Sequence, residues 1–350
     1  MSKFVYIKLT ILFLVFSCIN IKAQSLEETL SHLSSNAAND YVFPVISAFG
    51  SNLNSGWVQK VPDAKILGFD FNFKIIGMGS FFSDESKTFS RSETFRFTGQ
   101  EVDRILFASN IDPNSQTGSS IKSEMLSKDW TVIISGPTII GSKNDKIHVE
   151  FPGANIQGQQ VSNYIDSIAA VDGLLDNLPI FPSAAVQFTF GTVYGTALSI
   201  RFFPSVSIPN LGKVSFFGFG VLNNINMWLP NPLPLNLGVG LFYQKLTAGD
   251  IFKGTTFQYG VFASKTFGDI IAVTPYAGLT LETSSITTRY NYDFDTPYGP
   301  ETVKIAFDAS GENSVGLTLG TTFKLAIVNI NVDYKIAKIS TLNGGLSFGF

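Results

Sequence analysis

Most of this chain is written in segments where every second residue is apolar and the residues between are small or polar. In "ILGFDFNFKII", Leu67, Phe69, Phe71, Phe73 and Ile75 alternate with Gly68, Asp70, Asn72 and Lys74. "LNLGVGLFYQK" sets Leu235, Leu237, Val239, Leu241 and Tyr243 against Asn236, Gly238, Gly240 and Gln244. "FQYGVFASK", "TPYAGLTLE", "ALSIRFFP" and "AIVNINVDYK" repeat the pattern, with Gln258, Glu282, Arg201 and the series Asn329, Asn331, Asp333, Lys335 on their polar registers. A period of two belongs to strands, whose successive side chains point to opposite faces.

The length of these runs narrows the choice of fold. They extend about 9–12 residues, which a tilted strand needs to cross a bilayer, whereas strands of soluble sheets are usually about 5–6 residues long. A soluble sandwich would also put charge on its solvent faces. Only 15% of this chain is charged, against about 25% in ordinary soluble domains. The polar registers carry Gly, Ser, Thr, Asn and Gln, which suit a barrel lumen. The expected fold is therefore all-β: a transmembrane antiparallel up-and-down barrel of about 12 strands, within a range of 10–14. A secreted soluble β-protein is the weaker alternative. Reading back from the C-terminus gives about nine strands from near Ala185, with Thr302–Phe323 as one long strand kinked at Gly311. Upstream, Leu67–Met78, Thr88–Phe97, Trp130–Ser135 and Lys146–Phe151 are further strand candidates.

The N-terminus, "MSKFVYIKLTILFLVFSCINIKAQS", reads as a secretory signal peptide over residues 1–23. Lys3 and Lys8 form its basic region, Leu9–Ile19 its apolar core, and Ala23 a small residue at the cleavage point. The apolar run is too short for a comfortable transmembrane helix. A lipid-bearing Cys18 is the other option, which the bulky Phe16 suits poorly. Cleavage near Ala23 removes the chain's one cysteine, and with it any disulfide or thiolate metal site. Residues 24–60 form a helical or irregular segment, periplasmic or a plug, and residues 61–350 the barrel, with a long insertion at about 99–184. Ser25 can cap a short helix in the first of these. Its Tyr41, Val42, Phe43, Val45, Ile46 and Phe49 need cover from water, while Gly50, Asn52, Asn54 and Gly56 suit turns against a polar wall. It is expected either to fold into or across the periplasmic mouth or to rest on the rim. Within the insertion, Val161, Tyr164, Ile165, Ile168, Leu174 and Leu175 have near-helical spacing, as in a helix packed on a loop or a gate.

The last strand ends "TLNGGLSFGF", with Leu342, Leu346, Phe348 and Phe350 in one register and Gly344 breaking the series. This ending resembles the targeting signal of Gram-negative outer-membrane barrels, in which a terminal aromatic is read by the assembly machinery. More broadly, residues 60–350 resemble uncharacterised families of outer-membrane barrels, with a distant architectural similarity to the fatty-acid-transporter class. The resemblance implies export to the outer membrane of a Gram-negative bacterium, lipid around the barrel, and assembly through Phe350.

Chemistry has few candidates. The two histidines, His32 and His148, form no visible nucleophile constellation, and "KIHVEF" reads as a surface strand. Asp293 and Asp295 lack the later ligands of a calcium loop. A net charge of -3 without basic clusters gives nucleic acid no electrostatic footprint. No catalytic residue, metal or cofactor is expected. The lumen-facing candidates are Asp70, Asn72, Lys74, Arg201, Gln244, Gln258, Glu282, Asn329, Asn331, Asp333 and Lys335. A charge facing lipid costs about 2–4 kcal/mol at mid-membrane, so inward placement is expected whatever the function. The expected function is a passive outer-membrane channel or transporter for small molecules, hydrophobic ones included. The alternative is a structural or surface-interaction barrel with a filled lumen.

Overall fold

The computed structural model describes residues 33–168, 172–208, 212–249, 252–296 and 299–349. Residues 1–23, read above as a signal peptide, lie outside them with Cys18, Ser25, His32 and Phe350, as do the side chains of Asp293 and Asp295. The elements in chain order are helix α1 (Ser35–Leu53), strand β1 (Leu67–Phe81) and β2 (Thr88–Phe95), then α2 (Gly99–Ala108) and α3 (Gln116–Ser127). Five short strands follow: β3 (Trp130–Pro137), β4 (Ile147–Phe151), β5 (Ala154–Ile156), β6 (Gln159–Val161) and β7 (Tyr164–Ile168). The longer strands are β8 (Ile180–Val193), β9 (Thr196–Ile208), β10 (Gly212–Asn224), β11 (Asn236–Ala248) and β12 (Phe252–Ser264). After the two-residue β13 (Phe267–Gly268) come β14 (Ile271–Thr296), β15 (Gly299–Ser310), β16 (Val315–Leu325), β17 (Val328–Ile336) and β18 (Thr341–Gly349). The chain divides into two compact units, one of residues 42–83 and 178–350, the other of residues 32–41 and 84–177.

The larger unit is a closed antiparallel barrel. Strand β1 pairs with β8 on one side and β18 on the other, which removes both edges of the sheet. Its twelve strand segments make ten staves, because β13 merely extends the β14 hairpin and β15 and β16 are two halves of one stave. Both halves pair with β14, β16 up to Val315 and β15 from Ser310, so the kink falls at 311–314, where Gly311 was expected to place it. Nine staves follow residue 180, and ten lies within the expected range. The estimate of about twelve comes down because β2, β3 and β4 pair in a separate sheet.

Alternation is the physical reason the sheet closes this way. Val239, Leu241, Tyr259, Val261, Leu279, Leu281, Leu317, Leu319, Ile330 and Val332 are all exposed on the outside. Their polar neighbours in sequence are buried inside. A lipid-facing barrel has this arrangement, since hydrocarbon accepts the apolar row and no backbone group is left unpaired.

The smaller unit has its own core. Its sheet has the order β2-β3-β4-β7, with the hairpin β5–β6 beside it. Helix α2 starts at a capping box in which Thr98 and Glu101 satisfy each other's backbone N–H. Val102, Ile105, Leu106, Ile121, Met125, Val132 and Ile147 are buried. Phe151 packs edge-on against Phe97 and Trp130. Arg91 grips Asp40 through two hydrogen bonds of 2.5 and 2.9 Å. Tyr41 donates to the Asp172 carbonyl at 2.7 Å, and burial pushes its hydroxyl pKa well up. The near-helical spacing of residues 161–175 is not realised as a helix over the described residues 161–168 and 172–175. Tyr164–Ile168 is a strand paired along Ile147–Phe151, because cross-strand partners for its alternate residues outweigh a weak helical period. His148 is exposed on β4, and its Nδ1 is 3.0 Å from the hydroxyl of its cross-strand partner Ser167. The sequence reading did not foresee that pairing.

Candidate functional site

The barrel wall bonds the chain's own residues 48–62 from one end of its interior to the other. One end of the barrel, called near here, holds the start of β1 and the finish of β18. The other, the far end, holds the finish of β1, the start of β18 and both junctions to residues 84–177. Contacts along the filling segment follow this axis in order. Ala48, Ser51 and Asn52 meet the far end: Ser80 donates to the Ala48 carbonyl and the Asn52 side chain, Ser51 bonds Thr341 and the Ile339 carbonyl, and Asn52 donates to the Phe181 carbonyl. Residues 53–57 meet the middle. Gln59, Val61 and Pro62 meet the near end through Thr322, Ser347, Ser264 and Asn224. Finally the carbonyls of Lys65 and Ile66 accept from the Gly195 and Tyr194 amides in the near-end β8–β9 turn.

A helix ends with carbonyls that have no intrahelical partner, and its dipole leaves that end partly negative. Here the barrel wall supplies the missing donors. Lys335 Nζ donates to the Ser51 carbonyl at 3.0 Å, Gln244 donates to the Leu53 carbonyl, Arg201 to Ser55 at 2.8 Å and Lys74 to Gly56 at 2.7 Å. Three of these four donors are cations, each at most 1% exposed. Gly56 has a φ of +65° and its Cα faces Ile76 closely, so a side chain there would be strained and crowded.

The buried charges are hydrogen-bonded, and one couple among them is an ion pair. Lys335 lies 3.0 Å from Glu282, with both side chains fully buried. Asp333 accepts from Tyr276 at 2.8 Å and Asn343 at 2.6 Å. Arg201 is held by Gln187 at 2.9 and 3.1 Å and lies over the Trp57 ring, 3.9 Å from its centroid. A cation over an indole in a dry site is worth on the order of 2 kcal/mol.

The sequence-derived candidates divide by position. Lys74, Arg201, Gln244, Gln258, Glu282, Asn331, Asp333 and Lys335 are buried inside the barrel, and Asn72 is buried toward the near end beside Ser347. Asp70 and Asn329 are half-buried at the near end, Asp70 paired with Lys60 at 3.0 Å. Not identified from the sequence were the apolar residues on the inward register. Leu222, Phe242 and Phe262 form a buried cluster with Trp57, Val58 and Val61. The Phe242 ring lies stacked 5.0 Å from Trp57. Gly240 and Gly278 were assigned to a polar lumen face, and Gly220 shares that inward register. A Cβ at Gly220 or Gly278 would come within 2.6 Å of the Phe242 or Phe262 ring. The glycines make room for rings, and the signal was an aromatic on an otherwise small register. Among the described residues, no group of three or more His, Cys, Asp or Glu is placed to hold a metal.

Fold and interior together define a ten-stave β-barrel filled by its own N-terminal segment. The chain belongs to a family of unknown function, DUF6588, over residues 1–350. No curated protein matches it. Among solved structures it is similar to the transport unit of the autotransporter AIDA-I from Escherichia coli, at 7% identity over 93% of this chain and 98% of that one, with a TM-score of 0.25. It is also similar to CdiB from Acinetobacter baumannii, at 10% identity over 80% of this chain and 60% of that one, with a TM-score of 0.15. Likenesses this slight carry nothing about how the present chain works.

Proposed function

We propose that this protein is a sealed outer-membrane barrel whose task is to carry the folded unit of residues 84–177 on the cell surface. The observation that supports this best is the filled lumen. Polar contacts run along residues 48–62 from one end of the barrel to the other, and a barrel built as an open pore has no need of them. The apolar outer face fits an outer-membrane location. Bacterial barrels keep short turns at the periplasmic end and longer connections outside. The near end has tight turns at Tyr194–Gly195 and Ala326–Ile327, while the far end carries the 84–177 insertion and the long β14–β15 hairpin. Its longest near-end connection, residues 225–235, is stiffened by Pro230, Pro232 and Pro234. The far end is therefore assigned to the outside. The exposed row Leu342, Leu346 and Phe348 on β18 suits handover by the assembly machinery.

The channel or transporter reading takes a gated form beside this one. The contacts to residues 48–62 are mostly hydrogen bonds, which water can replace at modest net cost, about 0.5–1.5 kcal/mol each. A segment held this way can leave the lumen and admit small molecules, hydrophobic ones included.

The orientation gives a direct expectation. Single cysteines at Lys338→Cys, on the far end, and Asn36→Cys, at the start of α1, should react with a membrane-impermeant maleimide on intact cells. Asp269→Cys, in a near-end turn, should react only after permeabilisation. All three positions are exposed. Labelling of Asp269→Cys but not Lys338→Cys on intact cells would reverse the orientation and remove the display reading.

A further inference from the structure

On the outside of the barrel, side-chain character changes sharply over successive rungs of β11, β12 and β14. Leu241, Tyr259 and Leu281 are exposed neighbours on one rung and end the apolar band. One rung further toward the far end stand Tyr243, Phe257 and Thr283. The next holds Lys245, Thr255 and Ser285, and the one beyond it Thr247, Lys253 and Thr287. Lys245 and Lys253 are both exposed and are diagonal neighbours across Thr255, about 7–8 Å apart at the backbone. The carboxylates near them are taken: Asp308 by Arg289 at 3.0 Å and Glu282 by Lys335 on the inside. Among the described residues neither lysine is in an ion pair.

A cavity of about 270 Å³ opens between these rungs, where the pairing of β14 passes from β16 to β15. The Tyr243 and Phe257 rings line it together with Thr255, Ser285 and Ser310. Its inner side is lined by the inward register, with Thr256, Glu282, Ser284 and Asn313 all buried. Aromatic rings at the edge of an apolar band mark the level where acyl chains give way to headgroups. A recess at that level, lined on its outer side by hydroxyls and flanked by two exposed ammonium groups, fits a sugar bearing phosphate on an acyl-chain anchor.

We propose that this stretch of wall seats a phosphorylated glycolipid of the surrounding leaflet. Its acyl chains lie on the Leu241–Leu281 band, its sugar hydroxyls meet Thr255, Ser285 and Ser310 on the outer register, and phosphate meets Lys245 and Lys253. The inference rests on the reading that the far end faces outward, where such a lipid would be met. Binding is tested with the purified full-length chain in phosphatidylcholine nanodiscs, by native mass spectrometry of retained lipid. The probes are a diphosphorylated glucosamine-disaccharide lipid and its dephosphorylated form. The phosphorylated form should be retained, and the Lys245→Ser, Lys253→Ser double variant should retain it roughly tenfold less or weaker still. Lys265→Ser, at the near end, should behave as wild type. Equal retention of the two lipids, or no loss in the double variant, overturns the proposal. Full competition by free glucose 1-phosphate overturns the assignment to a lipid. Far-end cysteine labelling keeps the two readings apart. If Lys338→Cys is silent on intact cells, the orientation fails whatever the nanodiscs show; if it labels and lipid discrimination is absent, the glycolipid site alone fails.

Discussion

Replacing Lys335 with methionine is expected to cost the barrel about 3–5 kcal/mol of stability, the usual consequence of stranding one member of a buried ion pair. Two groups each lose a donor at once, the Ser51 carbonyl keeping its bond from Ser55 Oγ at 2.6 Å. Glu282 is left fully buried without its cation, and the Ser51 carbonyl at the end of α1 loses its bond from Nζ. The wall offers neither group a substitute cation at that depth, because Arg201 and Lys74 are committed to Ser55 and Gly56. Urea titration of the folded barrel, followed by its heat-dependent gel mobility, would show a lowered midpoint. The double variant Lys335→Met, Glu282→Gln should recover much of the loss, since no charge then remains unpaired. A single variant as stable as wild type would mean the pair is solvated, and that the lumen is not closed around it.

Excision of the filling segment should have the other large effect. With residues 42–60 replaced by a short Gly/Ser linker, the lumen loses Trp57, Val58 and the α1 end, and its wall presents Lys74, Arg201, Asp333 and Lys335 to water. Steady ionic current should then appear in planar bilayers where the intact chain passes little. If the emptied barrel fails to assemble, the Lys74→Ala, Arg201→Ala variant serves instead. It keeps the segment but removes two of its anchors, so intermittent openings are expected. Silence from an assembled, emptied barrel would locate the block elsewhere.

How much of this was legible depends on what local pattern encodes. Strand period was plain in "LNLGVGLFYQK" and "AIVNINVDYK", because lipid and lumen impose opposite polarity on successive residues. The break at Gly311 was legible from turn chemistry inside an otherwise continuous strand. Partner choice was not. Thr88–Phe95 alternates as a barrel strand does, and only its pairing with Trp130–Pro137 places it in the smaller sheet. Helix α1 was missed at its true bounds because Pro44 and the run of Ser, Asn and Gly through its second half read as turns. Those small polar residues are there because Ser51, Asn52 and Asn54 bond the barrel wall. Phe242 and Phe262 interrupt the polar register and went unread, and nothing local in the sequence says that Trp57 meets them.

Hydrogen exchange on the folded, detergent-solubilised chain tests the filled lumen most directly. The amides of residues 48–61 should exchange as slowly as those of the wall strands β1 and β9, since this stretch is bonded to that wall and shut from water with it. Complete exchange of residues 48–61 within seconds, while β1 and β9 stay protected, would show a segment outside the barrel and contradict a sealed lumen.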